Sequence, residues 1–112
     1  MELLLERAGD VTVAVLKAED LDGNTSREFR EKLTALPGDT NRLVLDLGQL
    51  LFIDSAGCCA LLSAWKRLRG VGGDLKVCCI TGSVRALFDL IRMNRLLGVY
   101  RTRGEAVAAF AP

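Results

Sequence analysis

Hydrophobic and polar positions along the chain predict a series of strands. Two short β-favouring runs, Leu3 to Arg7 and Val11 to Lys17, flank a glycine and an aspartate that suit a tight reversal, which predicts a β-hairpin. Leu43 to Leu47 is almost continuously apolar, as in a strand covered on both faces, and we expect it at the centre of a sheet. Leu75 to Ile80 has the same pattern, and Gly98 to Tyr100 is predicted to be a short last strand.

Helical periodicity separates these predicted strands. In the first helix Phe29, Leu33 and Leu36 form one apolar stripe, and Thr25 starts the hydroxyl-x-x-Glu spacing of a capping box. Further helices are predicted to begin at or near Ser55, at a cap on Ser83, and near Glu105.

The alternation of strands and helices after the hairpin indicates the fold class. It predicts an α/β domain with a mixed, mainly parallel sheet, an N-terminal hairpin and about four helices. The chain has 112 residues, half of them apolar, which suits one hydrophobic core. We therefore expect a single domain over residues 1–112. In such sheets ligands and partners are met at the carboxyl ends of the strands, where the strand-to-helix loops gather.

Composition and charge indicate the cellular compartment and exclude some classes of partner. No run approaches the roughly 18 apolar residues that cross a bilayer. The first six residues carry acids where a signal peptide has basic residues, so we expect a cytoplasmic protein with no membrane partner. Acidic side chains dominate the first half of the chain and basic ones the second, for a net charge of +1. Because no basic stripe is interleaved with aromatic residues, we interpret these charges as solvated faces and expect no direct nucleic-acid binding.

The four cysteines come as two adjacent pairs, Cys58-Cys59 and Cys78-Cys79. Neighbouring residues point to opposite faces of a strand and about 100° apart on a helix, so neither pair is expected to present both sulfurs to one metal. We predict small buried hydrophobes in a reducing compartment, with no disulfide and no metal site.

The junction Asp54-Ser55 offers the chain's main candidate chemistry. Ser55 could be a helix N-cap, a nucleophile or an acceptor of phosphate. A nucleophilic serine needs a base, yet the chain has no histidine, its lysines form no Ser-x-x-Lys pattern, and the flanks lack the Gly-x-Ser-x-Gly elbow. The glycine-rich segment Gly70 to Gly73 precedes a strand, the wrong order for a phosphate-binding loop, so no nucleotide cofactor is expected. The cap and the phosphate acceptor remain, and they are compatible.

These residues together resemble the STAS domain, and within that group the bacterial anti-sigma-factor antagonists. The resemblance covers essentially the whole chain, and its most specific part is Asp54-Ser55-x-Gly57. It implies that Ser55 is phosphorylated and that the protein is not an enzyme and needs no cofactor or metal. Ala56 stands where antagonists often carry a second serine, which leaves Ser55 as the acceptor.

The resemblance also implies partners. The unphosphorylated form is expected to bind an anti-sigma-factor serine kinase of the histidine-kinase-like ATPase fold and so to release the sigma factor. Phosphorylation ends the complex, and a PP2C-type serine phosphatase restores the hydroxyl. The implied partner-binding residues are Asp20, Asp22, Asn24, Asp54, Ser55, Ala56 and Gly57.

Alternatives stay open from the residues themselves. The first three of those partner-binding residues also suit an ordinary solvated turn, and Asp54 suits a helix start equally well. For the protein as a whole, a non-switching STAS scaffold in a stress-signalling or lipid-transport assembly is the alternative function. An enzyme that uses Ser55 is a third hypothesis.

Overall fold

The computed structural model of the chain describes residues 1–111, so Pro112, the last residue of the predicted domain, lies outside the described residues. The strands are β1 (Glu2–Ala8), β2 (Val11–Lys17), β3 (Asp20–Leu21), β4 (Arg42–Asp46), β5 (Phe52–Ile53), β6 (Asp74–Cys78) and β7 (Gly98–Tyr100). The helices are α1 (Ser26–Thr34), α2 (Ser55–Gly70), α3 (Gly82–Ile91) and α4 (Arg103–Ala108), with a 3-10 turn at Met93–Arg95.

Five strands form the main sheet, in the order β1-β2-β4-β6-β7. β1 and β2 are the predicted antiparallel hairpin, and Gly9 occupies the left-handed region with φ +66 at its turn. The other neighbours are parallel, so the predicted mixed, mainly parallel sheet with about four helices is confirmed. β4 lies at the centre, as its apolar run predicts.

A second, two-stranded parallel sheet pairs β3 with β5, in the register Asp20 to Phe52 and Leu21 to Ile53. The sequence analysis missed this sheet because each strand has only two residues, which is too short for a periodicity to be visible. Its consequence is local: the segment before α1 is held beside the segment before α2.

Side-chain alternation along β4 divides the core between the two faces of the main sheet. Leu43 and Leu45 pack with apolar residues of α1, α2 and α3 in the larger cluster. Val44 packs on the other face with Cys78 and with Ala106 of α4. Asp46 shares the parity of Val44, so β4 delivers its carboxylate to the α4 side of the sheet.

Two predicted helix caps are wrong in detail, although the helices exist. Thr25 precedes α1 but makes no capping bond, because its hydroxyl is engaged by the preceding loop. Ser83 lies inside α3, and its hydroxyl donates instead to the Leu51 carbonyl at 2.7 Å. Over the described residues, no helix combines the length and the apolar character needed to span a membrane.

Candidate functional site

Ser55 is the first residue of α2 and is exposed. The predicted Ser55 cap is wrong, because Asp54 is the N-cap: its backbone is extended and its Oδ1 accepts a hydrogen bond from the Gly57 N–H at 3.0 Å. A cap must keep a non-helical backbone while its side chain reaches the first-turn amides, and pairing of β5 with β3 gives that backbone to Asp54. Within residues 1–111 the Ser55 hydroxyl makes no hydrogen bond, and its side chain is exposed.

Asp54 also connects the two segments that the sequence analysis assigned to partner binding. Its Oδ2 accepts a hydrogen bond from the Gly23 N–H at 3.2 Å, and its own N–H donates to the Leu21 carbonyl at 3.3 Å. The carboxylate therefore ties the loop between β3 and α1 to the start of α2. The structure brings residues 20–24 and 54–57 together; Asp20, Asn24 and Ser55 are exposed there, whereas Leu21 and Gly57 are buried.

The loop itself is organised by Asp22. Its Oδ1 accepts hydrogen bonds from the N–H groups of Asn24 at 2.9 Å and Thr25 at 3.2 Å, which is an Asx-type turn. The Thr25 hydroxyl donates to the Asp20 carbonyl at 3.1 Å. The half-buried Asp22 carboxylate is therefore committed to the loop, whereas the Asp20 and Asn24 side chains are exposed beside Ser55's segment.

Gly57 sits where the two segments are closest. A Cβ added there would clash with the Leu21 carbonyl oxygen and would lie 2.7 Å from Ile53 Cγ1. The backbone of Gly57 therefore approaches that of Leu21 closely, and only glycine fits without a shift of the backbone. Ala56, the next residue of the implied partner surface, is half-buried.

Two apolar side chains next to the junction were missed as candidates. Leu51 is 61% exposed and Phe52 is 47% exposed, although Leu50 and Ile53 on either side are buried. Neither residue was among the predicted partner-binding residues. The available signal was four consecutive apolar residues immediately before a polar junction, since a two-residue strand cannot bury both of its faces.

The two cysteine pairs differ in a way that the sequence analysis did not foresee. In α2, Cys58 is buried and Cys59 exposed, and burial raises the pKa of the Cys58 thiol, with smaller contributions from Cys59 and Asp54. Cys78 ends β6, whereas Cys79 has left the strand with φ +68. The sulfurs of Cys78 and Cys79 and a carboxylate oxygen of Asp46 all lie within 4.8 Å of one another. The expectation that neither pair presents both sulfurs to one metal is wrong for this pair, because it assumed a regular strand through Ile80.

The surroundings of this second cluster are polar and well bonded. Asp46 Oδ2 accepts a hydrogen bond from Arg103 Nη2 at 2.9 Å, and Asp46 Oδ1 accepts from the Gly48 N–H at 2.9 Å. The hydrogen bond with Asp46 raises the pKa of Arg103. Burial, followed by the hydrogen bond with Cys79, raises the pKa of the Cys78 thiol, so it is protonated at neutral pH.

Comparison with known proteins places the fold in a family. Residues 3–106 match the STAS domain. BtrV of Bordetella bronchiseptica, named as an anti-sigma factor antagonist, is 31% identical over 110 residues, covering 98% of this chain and 95% of BtrV. An anti-sigma factor antagonist from Mycobacterium paratuberculosis has a similar structure, with a TM-score of 0.86 at 22% identity, covering 99% of this chain and 94% of that one. The phosphorylated form of SpoIIAA, a cell fate determinant of Bacillus, gives a TM-score of 0.68 at 21% identity, covering 96% and 98% of the two chains. This chain belongs to the STAS domain family.

Proposed function

We propose that this protein is an anti-sigma-factor antagonist and that phosphorylation of Ser55 breaks its complex with an anti-sigma-factor serine kinase. One observation carries the proposal: Ser55 is exposed at the start of α2 with an uncommitted hydroxyl, because Asp54 caps the helix. Membership of the STAS family and the names of the relatives support the antagonist role. SpoIIAA, which shares the fold, is known in a phosphorylated form.

The local chemistry suits a switch that leaves the fold intact. A phosphate adds about −1.5 to −2 charges, and a helix N-terminus favours a negative charge by only about 0.3 to 1 kcal/mol. The neighbouring Asp54 carboxylate opposes the phosphate, so the two contributions partly cancel. The capping bond to Gly57 does not involve the Ser55 hydroxyl and survives its modification.

Phosphorylation of Ser55 is expected to weaken partner binding much more than it changes the stability of the fold. The proposed contact surface combines the apolar side chains of Leu51 and Phe52 with the polar loop that carries Asp20 and Asn24, and Ser55 follows Phe52 by three residues at the start of α2. Burying an unpaired dianion against a partner costs several kcal/mol, and about 1.4 kcal/mol is tenfold in affinity. One phosphate therefore changes binding by orders of magnitude, and a PP2C-type phosphatase that reaches the exposed Ser55 resets the switch.

The direct test is a kinase assay with the cognate anti-sigma-factor kinase and Mg-ATP, followed by mapping of the product by mass spectrometry. We expect phosphate on Ser55 in the wild type and none in Ser55→Ala. Phosphate on another residue, or no transfer at all, would contradict the proposal.

A binding assay separates the switch from a simple charge effect. Ser55→Asp is expected to weaken kinase binding at least about tenfold, since an unpaired buried charge costs several kcal/mol. The matched control is Ser63→Asp, which adds the same charge two turns further along α2, at an exposed serine that accepts a hydrogen bond from Arg30. We expect the control to bind like the wild type. Unchanged binding of Ser55→Asp would favour the alternative of a non-switching scaffold, whose partners need not be kinases.

A further inference from the structure

Asp46, Cys78 and Cys79 form a cluster of possible metal ligands that does not include Ser55. β4 and β6 pair in parallel register with Asp46 opposite Cys78, at the carboxyl ends of both strands. Cys79 then adopts φ +68, a conformation that glycine or asparagine usually occupies. The turn brings the Cys79 sulfur back towards Cys78 and Asp46, with all three ligand atoms within 4.8 Å of one another.

We propose that Asp46, Cys78 and Cys79 form a binding site for Zn²⁺, with water as the fourth ligand. Two thiolate sulfurs and one carboxylate oxygen are a donor set that suits this borderline-soft ion, whereas Mg²⁺ and Ca²⁺ prefer oxygen alone. In a tetrahedral site with Zn–S distances of about 2.3 Å, neighbouring sulfurs are roughly 3.8 Å apart. The three ligand atoms lie within 4.8 Å of one another, so binding requires them to approach by about 1 Å at most.

The backbone around the two cysteines is held in place before any ion binds. The Cys78 carbonyl accepts a hydrogen bond from the Leu47 N–H at 3.0 Å, and the Cys79 N–H donates to the Tyr100 carbonyl at 3.2 Å. The peptide between the cysteines is thus fixed from β7 on one side and from the end of β4 on the other. The left-handed turn is part of this framework, which lowers the ordering cost of binding.

The carboxylate has the supporting contacts that a metal ligand needs. Arg103 and the Gly48 N–H each donate one hydrogen bond to Asp46, and each carboxylate oxygen keeps a further lone pair for a metal. Arg103 also pairs with Glu6, so the two carboxylates and the guanidinium together carry a charge of −1. Binding of Zn²⁺ through two thiolates leaves that charge unchanged, because the ion adds +2 and the thiolates −2, while two protons leave to water.

Access to the site runs along Cys79 and Gly48. Cys78 and Asp46 are buried, but Cys79 is half-buried and Gly48 is exposed. A Cβ on Gly48 would lie 3.1 Å from Asp46 Oδ1 and 3.4 Å from Cys79 Cβ, so a larger residue there would cover the cluster. A bound ion would join the ends of β4 and β6 and, through Arg103, the start of α4.

The test is titration of the fully reduced protein with Zn²⁺ against a chromophoric chelator, together with Co²⁺ as a spectroscopic substitute. We expect one ion per chain and a thiolate-to-Co²⁺ charge-transfer band with the visible bands of tetrahedral cobalt. Zn²⁺ should also raise the Tm, because folding brings the three ligands together.

Cys79→Gly is the decisive variant, since glycine prefers the left-handed backbone and so preserves the fold. Its affinity for Zn²⁺ should fall at least about tenfold, the smallest loss seen even for outer-shell partners, and its Tm should no longer respond to the ion. Cys59→Ser is the matched control, because Cys59 is an exposed member of the other cysteine pair. Equal binding in wild type and Cys79→Gly, an equal loss in Cys59→Ser, or a cobalt complex without the thiolate band would each overturn the proposal.

Discussion

Asp46 and Asp54 occupy similar places in the fold but have different roles. Each lies at the carboxyl end of a parallel strand, and each accepts a hydrogen bond from a nearby glycine N–H, Gly48 at 2.9 Å and Gly57 at 3.0 Å. Asp46 is 9% exposed and pairs with Arg103 from α4. Asp54 is half-buried, and both of its oxygens accept from backbone N–H groups.

The hydrogen-bond partners of each carboxylate determine its role. Pairing with a guanidinium balances the charge of Asp46, which lets the chain bury it and use it to attach α4 to the sheet. Backbone amides hold Asp54 without removing its charge, so it remains a negative group near the surface at the positive end of a helix. The first arrangement suits a structural or metal-supporting residue, and the second suits a site that meets a partner.

The largest effect is expected from Gly57→Ala, which attacks the junction at its closest contact. The new Cβ would clash with the carbonyl oxygen of Leu21, a backbone atom that cannot rotate away, so β3 must move away from the start of α2. Such overpacking costs typically 1–3 kcal/mol, and we expect about 3 kcal/mol in the free energy of unfolding from denaturant melts. The helix control is Gly70→Ala, which meets nothing within 4 Å at the other end of α2 and should be neutral or slightly stabilising. A Gly57→Ala protein as stable as this control would show that the close approach is not required.

Much of the fold around the two aspartates is predictable from the sequence, because it depends on local periodicity. The hairpin, the central position of β4 and the start of α2 all follow from runs of side chains that pattern alone identifies. The cap was assigned to Ser55 because serine and aspartate are equally good cap residues. The choice between them depends on which residue has the extended backbone, and a long-range contact with Leu21 decides that.

The cluster of Asp46, Cys78 and Cys79 could not be predicted for the same reason, because it also depends on contacts between distant residues. The apolar pattern continues to Ile80, yet β6 ends at Cys78. Nothing in the composition of that segment marks the left-handed turn at Cys79, whose N–H donates to the Tyr100 carbonyl of a neighbouring strand. Contacts between residues far apart in the chain were therefore the part that sequence analysis could not supply.

Asp46→Ala is expected to have the next largest effect. It leaves the Gly48 N–H without its acceptor and removes one of two carboxylate partners of Arg103, which still pairs with Glu6. Hydrogen bonds to charged groups contribute about 1.5–3 kcal/mol, so we expect a loss of about 2 kcal/mol, together with faster hydrogen exchange in α4.

The matched control for Asp46→Ala is Asp10→Ala, which breaks an exposed ion pair with Arg42. An exposed pair of this kind contributes about 0–1 kcal/mol, so the control should lose much less. Similar losses of unfolding free energy in both variants would mean that the buried position of Asp46 under α4 adds nothing to its contribution. Asp46 would then have no structural role that separates it from Asp54.

The smallest effect is expected from Asp54→Asn, which separates the capping role of this residue from its charge. Asparagine caps as well as aspartate, and its carbonyl oxygen can accept from Gly57, so only the bond from Gly23 is at risk. We expect a change below about 0.5 kcal/mol in denaturant melts, against a loss of about 1 kcal/mol for Asp54→Ala, which removes the cap. If Asp54→Asn loses as much as Asp54→Ala, the negative charge itself stabilises the junction. Asp54 would then resemble Asp46 in having a structural role, although its partners are backbone amides and not a guanidinium. Its negative charge beside Ser55 would be required for the fold as well as for a partner.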